Sequence, residues 1–263
     1  MNIIVCIKQV PSLTNVQIDL ETGRLKRDGV EPMINPFDEY AIEEGVRIKE
    51  KVGGKVVVIT MGPPQAESAL REAISRGADE AFLISDRAFG GADTLATSYT
   101  LSLAIRFIGD YDIIICGKQA LDGDTAQVGP GIAEMLNIPH VACVKKIELV
   151  DDKSIRVERV MEDGYNLIES PIPTLLTVAK EINIPRMPSL RGKMFSKKAF
   201  IKILDAVTIG ADTKKTGLNG SPTRVIKTFT PPPTKRNCGE KISGAAKEVA
   251  IALVERLSKL GII

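Results

Sequence analysis

Short β-branched runs alternating with helix-length amphipathic stretches narrow the fold of this chain more than any other feature. Ile3–Lys8, Lys55–Thr60, Ala81–Ser85 and Tyr111–Cys116 are predicted strands, apolar almost throughout. Pro36–Val52, Gln65–Arg76, Thr94–Phe107 and Thr125–Leu136 are predicted helices. A strand that is apolar on both sides must be covered on both sides, and strands joined through helices run parallel. The first helix has a start signal in Asn35-Pro36, with a capping residue followed by proline at the first helical position. Its stop signal is Gly53-Gly54. Ala41, Ile42, Val46 and Ile48 give it an apolar stripe under a charged outer face.

After His140 the pattern changes. Val141–Val150 and Ser154–Val160 read as strands joined at Asp151-Asp152-Lys153, followed by Tyr165–Ser170 and Thr174–Ala179. No helix-length crossover separates them, so an antiparallel extension of the parallel sheet is expected. From Glu181 the chain becomes proline-rich and basic, and Gly217–Arg236 is irregular and holds Pro231-Pro232-Pro233. Helical periodicity returns over Ile242–Leu260. The tail keeps Leu190, Phe195, Phe200, Ile203 and Phe229 without a core of its own, which favours docking on a partner over a solvated basic arm. The expected organisation is an α/β fold: a Rossmann-like parallel sheet with helices on both faces, an antiparallel strand extension, and a C-terminal partner-binding arm. Residues 1–184 would form the nucleotide-binding domain and 185–263 an extended arm and C-terminal helix.

Composition removes several function classes. A net charge of +2 over 263 residues, with seven Phe, four Tyr and no arginine-rich tract, gives no footprint for nucleic acid. Apolar runs are strand-sized, far short of the ~20 residues of a membrane span. The start, Met1-Asn2-Ile3-Ile4-Val5, reads as a strand and not a leader, so a cytoplasmic protein is expected. Cys6, Cys116, Cys143 and Cys238 share no C-x-x-C spacing, which argues against a disulfide framework or a zinc site. His140 is the only histidine and reads as a loop residue, so neither a catalytic triad nor a metal-histidine centre is expected.

Candidate chemistry collects where parallel strands end, since open α/β sheets bind ligands beyond the carboxyl ends near a reversal of strand order. Cys6-Ile7-Lys8-Gln9-Val10-Pro11 leaves the first strand and Thr60-Met61-Gly62-Pro63-Pro64 the second, while Asn35-Pro36-Phe37-Asp38 heads a helix beside them. The fourth strand runs into the loop Gly117–Pro130, rich in small, acidic and hydroxyl residues. That loop lacks Walker spacing, and no G-x-G-x-x-G follows a strand. Gly90-Gly91-Ala92-Asp93-Thr94 opens a further helix, with Asp93 or Thr94 as cap and Thr94 and Thr97 on one face. It reads either as a well-capped helix or as a second anion site; two helix N-termini in one pocket suit a diphosphate. Asp122 and Asp124 fit ribose binding or helix capping. No nucleophile–base pair or carboxylate dyad is present, so any reaction would be carried by a bound cofactor.

These residues resemble a known family, the beta (small) subunits of electron transfer flavoproteins, along essentially the whole chain. The matching pieces are Val5–Pro11, Asn35–Asp38, Thr60–Pro63, Gly117–Pro130, and Val157-Glu158-Arg159 through Glu162-Asp163-Gly164 to Pro173–Thr177. The family usually carries Glu or Gln where this chain has Asn166. The resemblance implies a heterodimer with an alpha subunit that carries one FAD. It also implies an adenine nucleotide in the beta subunit: AMP in ordinary members, a second FAD in electron-bifurcating ones that oxidise NADH. Gly90–Ser98, Asp122–Pro130 and Gly220-Ser221-Pro222-Thr223 resemble the bifurcating branch, so FAD is expected over AMP. The cofactor-binding residues carried over are Cys6, Asn35, Pro36, Phe37, Asp38, Met61, Gly62, Asp93, Thr94 and Thr97. With them come Gly117, Lys118, Gln119, Ala120, Leu121, Asp122, Gly123, Asp124, Thr125, Ala126, Gln127 and Val128. Leu190 falls in the family's recognition loop, which docks on an acyl-CoA dehydrogenase-type partner; the low-potential acceptor would be ferredoxin or another carrier. The alternatives are a non-bifurcating carrier with structural AMP, and a nucleotide-binding sensor module.

Overall fold

The computed structural model describes residues 1–12, 17–18, 25–26, 32–151, 153–226 and 241–263. Asp152, Phe229, Pro231–Pro233 and Cys238, all named above, lie outside the described residues. Residues 1–226 form one compact unit and 227–263 a second, whereas the sequence reading divides the chain after residue 184.

The chain opens with β1 (Asn2–Cys6), the short strands β2 (Gln9–Pro11), β3 (Gln17–Ile18), β4 (Leu25–Lys26) and β5 (Pro32–Ile34), and helix α1 (Pro36–Val52). Then come β6 (Lys55–Met61), α2 (Glu67–Ser75), β7 (Glu80–Ile84), α3 (Thr94–Ile108), β8 (Ile113–Gly117) and α4 (Val128–Leu136). Strands β9 (His140–Val150), β10 (Ser154–Met161), β11 (Gly164–Pro171) and β12 (Thr174–Val178) precede α5 (Leu190–Lys198) and β13 (Ile201–Leu204). Helix α6 (Ala246–Lys259) belongs to the second unit.

The main sheet has nine strands in the order β11-β10-β9-β12-β8-β1-β6-β7-β13. From β9 to β13 every neighbouring pair is parallel, and only β10 runs against its neighbours. Alternation along the strands sorts side chains into two cores. Ile3, Val5, Val56, Val58, Ile113 and Ile115 pack under α1 and α2. Ile4, Cys6, Val57, Ile59, Ile114 and Cys116 pack under α3 and α4. Each fully buried Ile or Val on these strands contributes roughly 1.5–3 kcal/mol, so the expected two-sided sheet holds.

Two expectations are corrected. The strands after His140 are not all antiparallel: β12 inserts between β9 and β8, parallel to both. It can do so because β9 changes partner along its length. Cys143 sits at φ 59°, with register shifts on either side, so His140–Val144 pair with β12 and Val144–Val150 with β10. Nor is the stretch after Glu181 coreless. Ile201–Leu204 adds an edge strand parallel to β7, with Ile201 and Leu204 buried in opposite cores. Four residues after a basic helix carry too weak a period to be read as a strand. Leu190, Phe195, Phe200 and Ile203 nonetheless remain exposed.

Because β6 and β7 lie to one side of β1 while β8 lies to the other, strand order reverses between β1 and β8. The crevice beyond their carboxyl ends is where an open sheet of this kind takes ligands.

Candidate functional site

Asn35 stitches the two sides of the crevice together. Its N–H donates to Lys8 O at 2.8 Å, tying the start of α1 to the end of β1. Its side chain donates from Nδ2 to Gln119 O at 2.8 Å and accepts at Oδ1 from Leu121 N–H at 3.1 Å. Three residues on, Asp38 Oδ2 accepts from Lys8 N–H at 2.7 Å, and the Gly117 backbone also bonds to this carboxylate. Burial pushes the Asp38 carboxyl up to about 7, against the lowering effect of bonds from Asn35, Lys8 and Gly117 and of the Lys8 charge. Asn35 and Asp38 are both buried, so the structure places them beneath the crevice, where they hold its loops. Pro36 sits at the first position of α1. Cys6 and Cys116 are register partners on one face, both buried, and contact with Cys6 together with burial raises the Cys116 thiol. Met61 ends β6, and the Gly62 N–H donates to Ile84 O at 3.1 Å.

Beyond Gly117 the chain stays irregular through Gln127. Lys118 N–H donates to Val178 O at 2.9 Å, and Lys8 Nζ pairs with Asp122 at 2.7 Å. Gln119 Nε2 donates to Asp124 Oδ1, and the Asp124 N–H to Ala120 O at 2.8 Å. Helix α4 was expected from Thr125 but starts at Val128, because Asp124 (φ 52°) and Ala126 (φ 54°) hold left-handed conformations that a helix cannot include. Residues 122–127, which include Gly123 and Thr125, are exposed.

The two helix starts meet over this loop. Thr94 Oγ1 donates to Gln127 Oε1 at 2.9 Å, and Ser98 Oγ donates to Thr94 O at 2.7 Å and to Val128 O at 3.3 Å. Their ends differ chemically. Asp93 caps α3, its Oδ1 accepting from Leu95 and Ala96 N–H at 3.0 and 3.1 Å. Although burial acts to raise it, bonds from Ala96, Thr223 and Leu95 hold this carboxyl below the usual range. Helix α4 has no side-chain cap, and its first intrahelical bond runs from Gly131 N–H to Gln127 O at 2.9 Å. The Val128 and Gly129 N–H groups therefore stand ahead of the helix ladder. Uncapped N–H groups at a helix start, next to a Gln127 that the Thr94 hydroxyl bonds, are a donor set suited to phosphate oxygens. The expected pair of anion sites thus becomes one open helix end plus a hydroxyl pair.

A cleft of about 950 Å³ is lined by Phe37 and Lys118, by the β10–β11 turn from Val160 to Asn166, and by Ala179–Glu181. Its assembly depends on the bend at Cys143, which no periodicity announces. Ser221 and Thr223, named above only by resemblance and not among the expected cofactor-binding residues, bond to Asp93 from 128 and 130 residues away, a contact no local signal announces. At the opposite end of α1, Arg186 pairs with Glu43 at 2.8 Å and Glu50 at 2.6 Å, pinning the stem of the segment that leads to Leu190. Leu190 is 78% exposed at the start of α5, where the Ser189 side chain accepts from Gly192 N–H at 2.9 Å. Among the described residues no helix is long and apolar enough to cross a membrane.

Fold and site define an α/β protein of the doubly wound kind, with its crevice at the switch point of a parallel sheet. The profile of the electron transfer flavoprotein domain matches residues 22–209. The chain is 54% identical, over 265 aligned positions and the full length of both proteins, to electron transfer flavoprotein subunit beta of Thermoanaerobacterium thermosaccharolyticum. It is 48% identical, again over the full length of both, to the caffeyl-CoA reductase-Etf complex subunit CarD of Acetobacterium woodii. To the acryloyl-CoA reductase electron transfer subunit gamma of Anaerotignum propionicum it is 43% identical, with full coverage of both chains. The chain belongs to the electron transfer flavoprotein family, as a beta subunit.

Proposed function

We propose that this chain pairs with an alpha subunit carrying one FAD and itself holds a second FAD at the carboxyl edge of β1 and β8. The pair then takes electrons from NADH and divides them between an acyl-CoA dehydrogenase-type partner and a low-potential acceptor such as ferredoxin, in the cytoplasm. The observation that carries the reading is the junction of α3 and α4, where Thr94 meets Gln127 at 2.9 Å beside an uncapped helix start. The names of two relatives, each tied to a CoA-thioester reductase, support the partner class. FAD, when bound, supplies the hydride-accepting and electron-passing chemistry. The protein's own part is to bind and orient it. The Val128 and Gly129 N–H groups and the Thr94 and Thr97 hydroxyls would hold its phosphates, and Asp122 and Asp124 lie in the loop suited to its ribose. Leu190, held out by the Arg186 stem, would anchor on the dehydrogenase, and α6, with Ile251, Leu253 and Val254 exposed, would dock on the alpha subunit.

A second reading, structural AMP in place of the second FAD, is favoured by one observation: Asp93 already occupies two of the N–H groups at the α3 start. A double substitution tests the phosphate role. Thr94→Val with Thr97→Val is expected to release the beta-bound nucleotide preferentially while the alpha-bound FAD stays. Retention at wild-type affinity contradicts their assignment.

A further inference from the structure

Asp93 serves two masters. One carboxylate oxygen caps α3, as described; the other, Oδ2, accepts from the Thr223 N–H at 3.0 Å and the Thr223 hydroxyl at 2.8 Å. The Asp93 N–H donates to Ser221 Oγ at 2.8 Å, and that hydroxyl donates onward to Gly217 O at 2.7 Å. Residues 212–223 thus form a strap across the turn that aims the first turn of α3. Leu218 N–H donates to Gly90 O at 3.0 Å, and Asp212 N–H to Tyr99 Oη at 3.2 Å. The strap sits so close that a Cβ on Gly217, itself at φ 54°, would lie 2.2 Å from Ala88 O. Thr216 beside it is fully buried. After Thr223 the grip ends: Val225 and Ile226 are 78% and 96% exposed, and the chain then enters the second unit.

We propose that Ser221 and Thr223 are positioning residues of the nucleotide site, acting through Asp93, so that nucleotide binding at the α3 start and ordering of the 212–223 strap strengthen one another. The inference rests on the nucleotide reading above. Thr94 and Thr97 point usefully only while Asp93 keeps the first turn wound, and Asp93 is fixed from both sides only while the strap is in place. Coupling of this kind is reciprocal. A nucleotide that fastens α3 therefore fastens the strap.

Backbone hydrogen exchange on the heterodimer, stripped of nucleotide and then given FAD or AMP, separates the cases. Either ligand is expected to slow exchange over 212–223 as well as over 117–131. Thr223→Val keeps the backbone N–H but loses the hydroxyl, at an exposed position the core does not need. It is expected to weaken nucleotide binding roughly tenfold, the order of one hydrogen bond to a charged group, and to abolish the strap response. Thr223→Ser should retain both. Slowing confined to 117–131 overturns the coupling but leaves the nucleotide site standing, and so does a Thr223→Val protein that behaves like wild type. If neither ligand binds or slows any segment, the nucleotide reading fails and this proposal fails with it.

Discussion

Replacing Gly117 by alanine is expected to damage both the fold and the site. A Cβ there would lie 2.3 Å from Asp38 Oδ1 and 2.7 and 2.8 Å from the carbonyl carbon and Cβ of Phe37. None of these atoms is the free end of a flexible chain. Asp38 is held by Lys8 N–H, and Phe37 belongs to a helix start fixed by Pro36 and by the Asn35 bonds across the crevice. The methyl must therefore push α1 away from β8, an overpacking cost of about 1–3 kcal/mol. The same shift pulls apart Lys8, Asn35 and the 119–121 loop, so nucleotide should be lost along with stability. Thermal denaturation of the purified heterodimer should show a midpoint lowered by roughly 2–4 °C per kcal/mol for a chain of this size. An alanine variant with wild-type midpoint and nucleotide content would show that β8 and α1 are not in the contact described.

Raising the pH from mild acid to neutrality is expected to weaken the fold by way of Asp38. Its carboxyl stands at about 7 in the folded chain against 3.8 when unfolded. Between those values the folded state binds the extra proton, so stability falls as pH rises. The contribution is fully present below 3.8 and lost as pH passes 7. A displacement of this size corresponds to at most about 4 kcal/mol. Glu44, also raised by burial, adds a slope of the same sign, whereas Glu43, held below its usual range, opposes it. Subtracting the profile of an Asp38→Asn variant from that of wild type isolates Asp38. The amide should cost stability at pH 5, because an –NH2 then faces a backbone N–H, yet show a smaller loss between pH 5 and 8. Parallel slopes in the two proteins would remove Asp38 as the cause.

Much of this architecture was readable because local and tertiary signals agree. Ile3 and Val5 go to one core and Ile4 and Cys6 to the other, as uninterrupted apolar strands require. Pro36 takes the first position of α1 and Asp93 caps α3, as their chemistry favours, whereas the Asn35 side chain bonds across the crevice and does not cap its helix. The failures lie where a distant partner decides. Asp38 reads as an ordinary acidic residue in a first helical turn, and nothing local says that Gly117 and Lys8 will bury it. Thr125 begins a plausible helix until Asp124 and Ala126 take left-handed backbone to carry the loop round. Ile201–Leu204 becomes a strand only because β7 offers a free edge, and Ser221 and Thr223 matter only once the chain has returned to Gly90–Asp93. The choice between one phosphate and two rested on two helix N-termini in one pocket and on the family resemblance, and the Asp93 cap, which already takes two N–H groups of α3, cuts against the first.

The heterodimer should be purified with its alpha subunit, denatured, and its released nucleotides separated and counted. Two FAD per heterodimer are expected, one of them lost on Thr94→Val with Thr97→Val. One FAD and one AMP per heterodimer would contradict the two-FAD reading, leaving the crevice at β1 and β8 as the seat of a structural nucleotide.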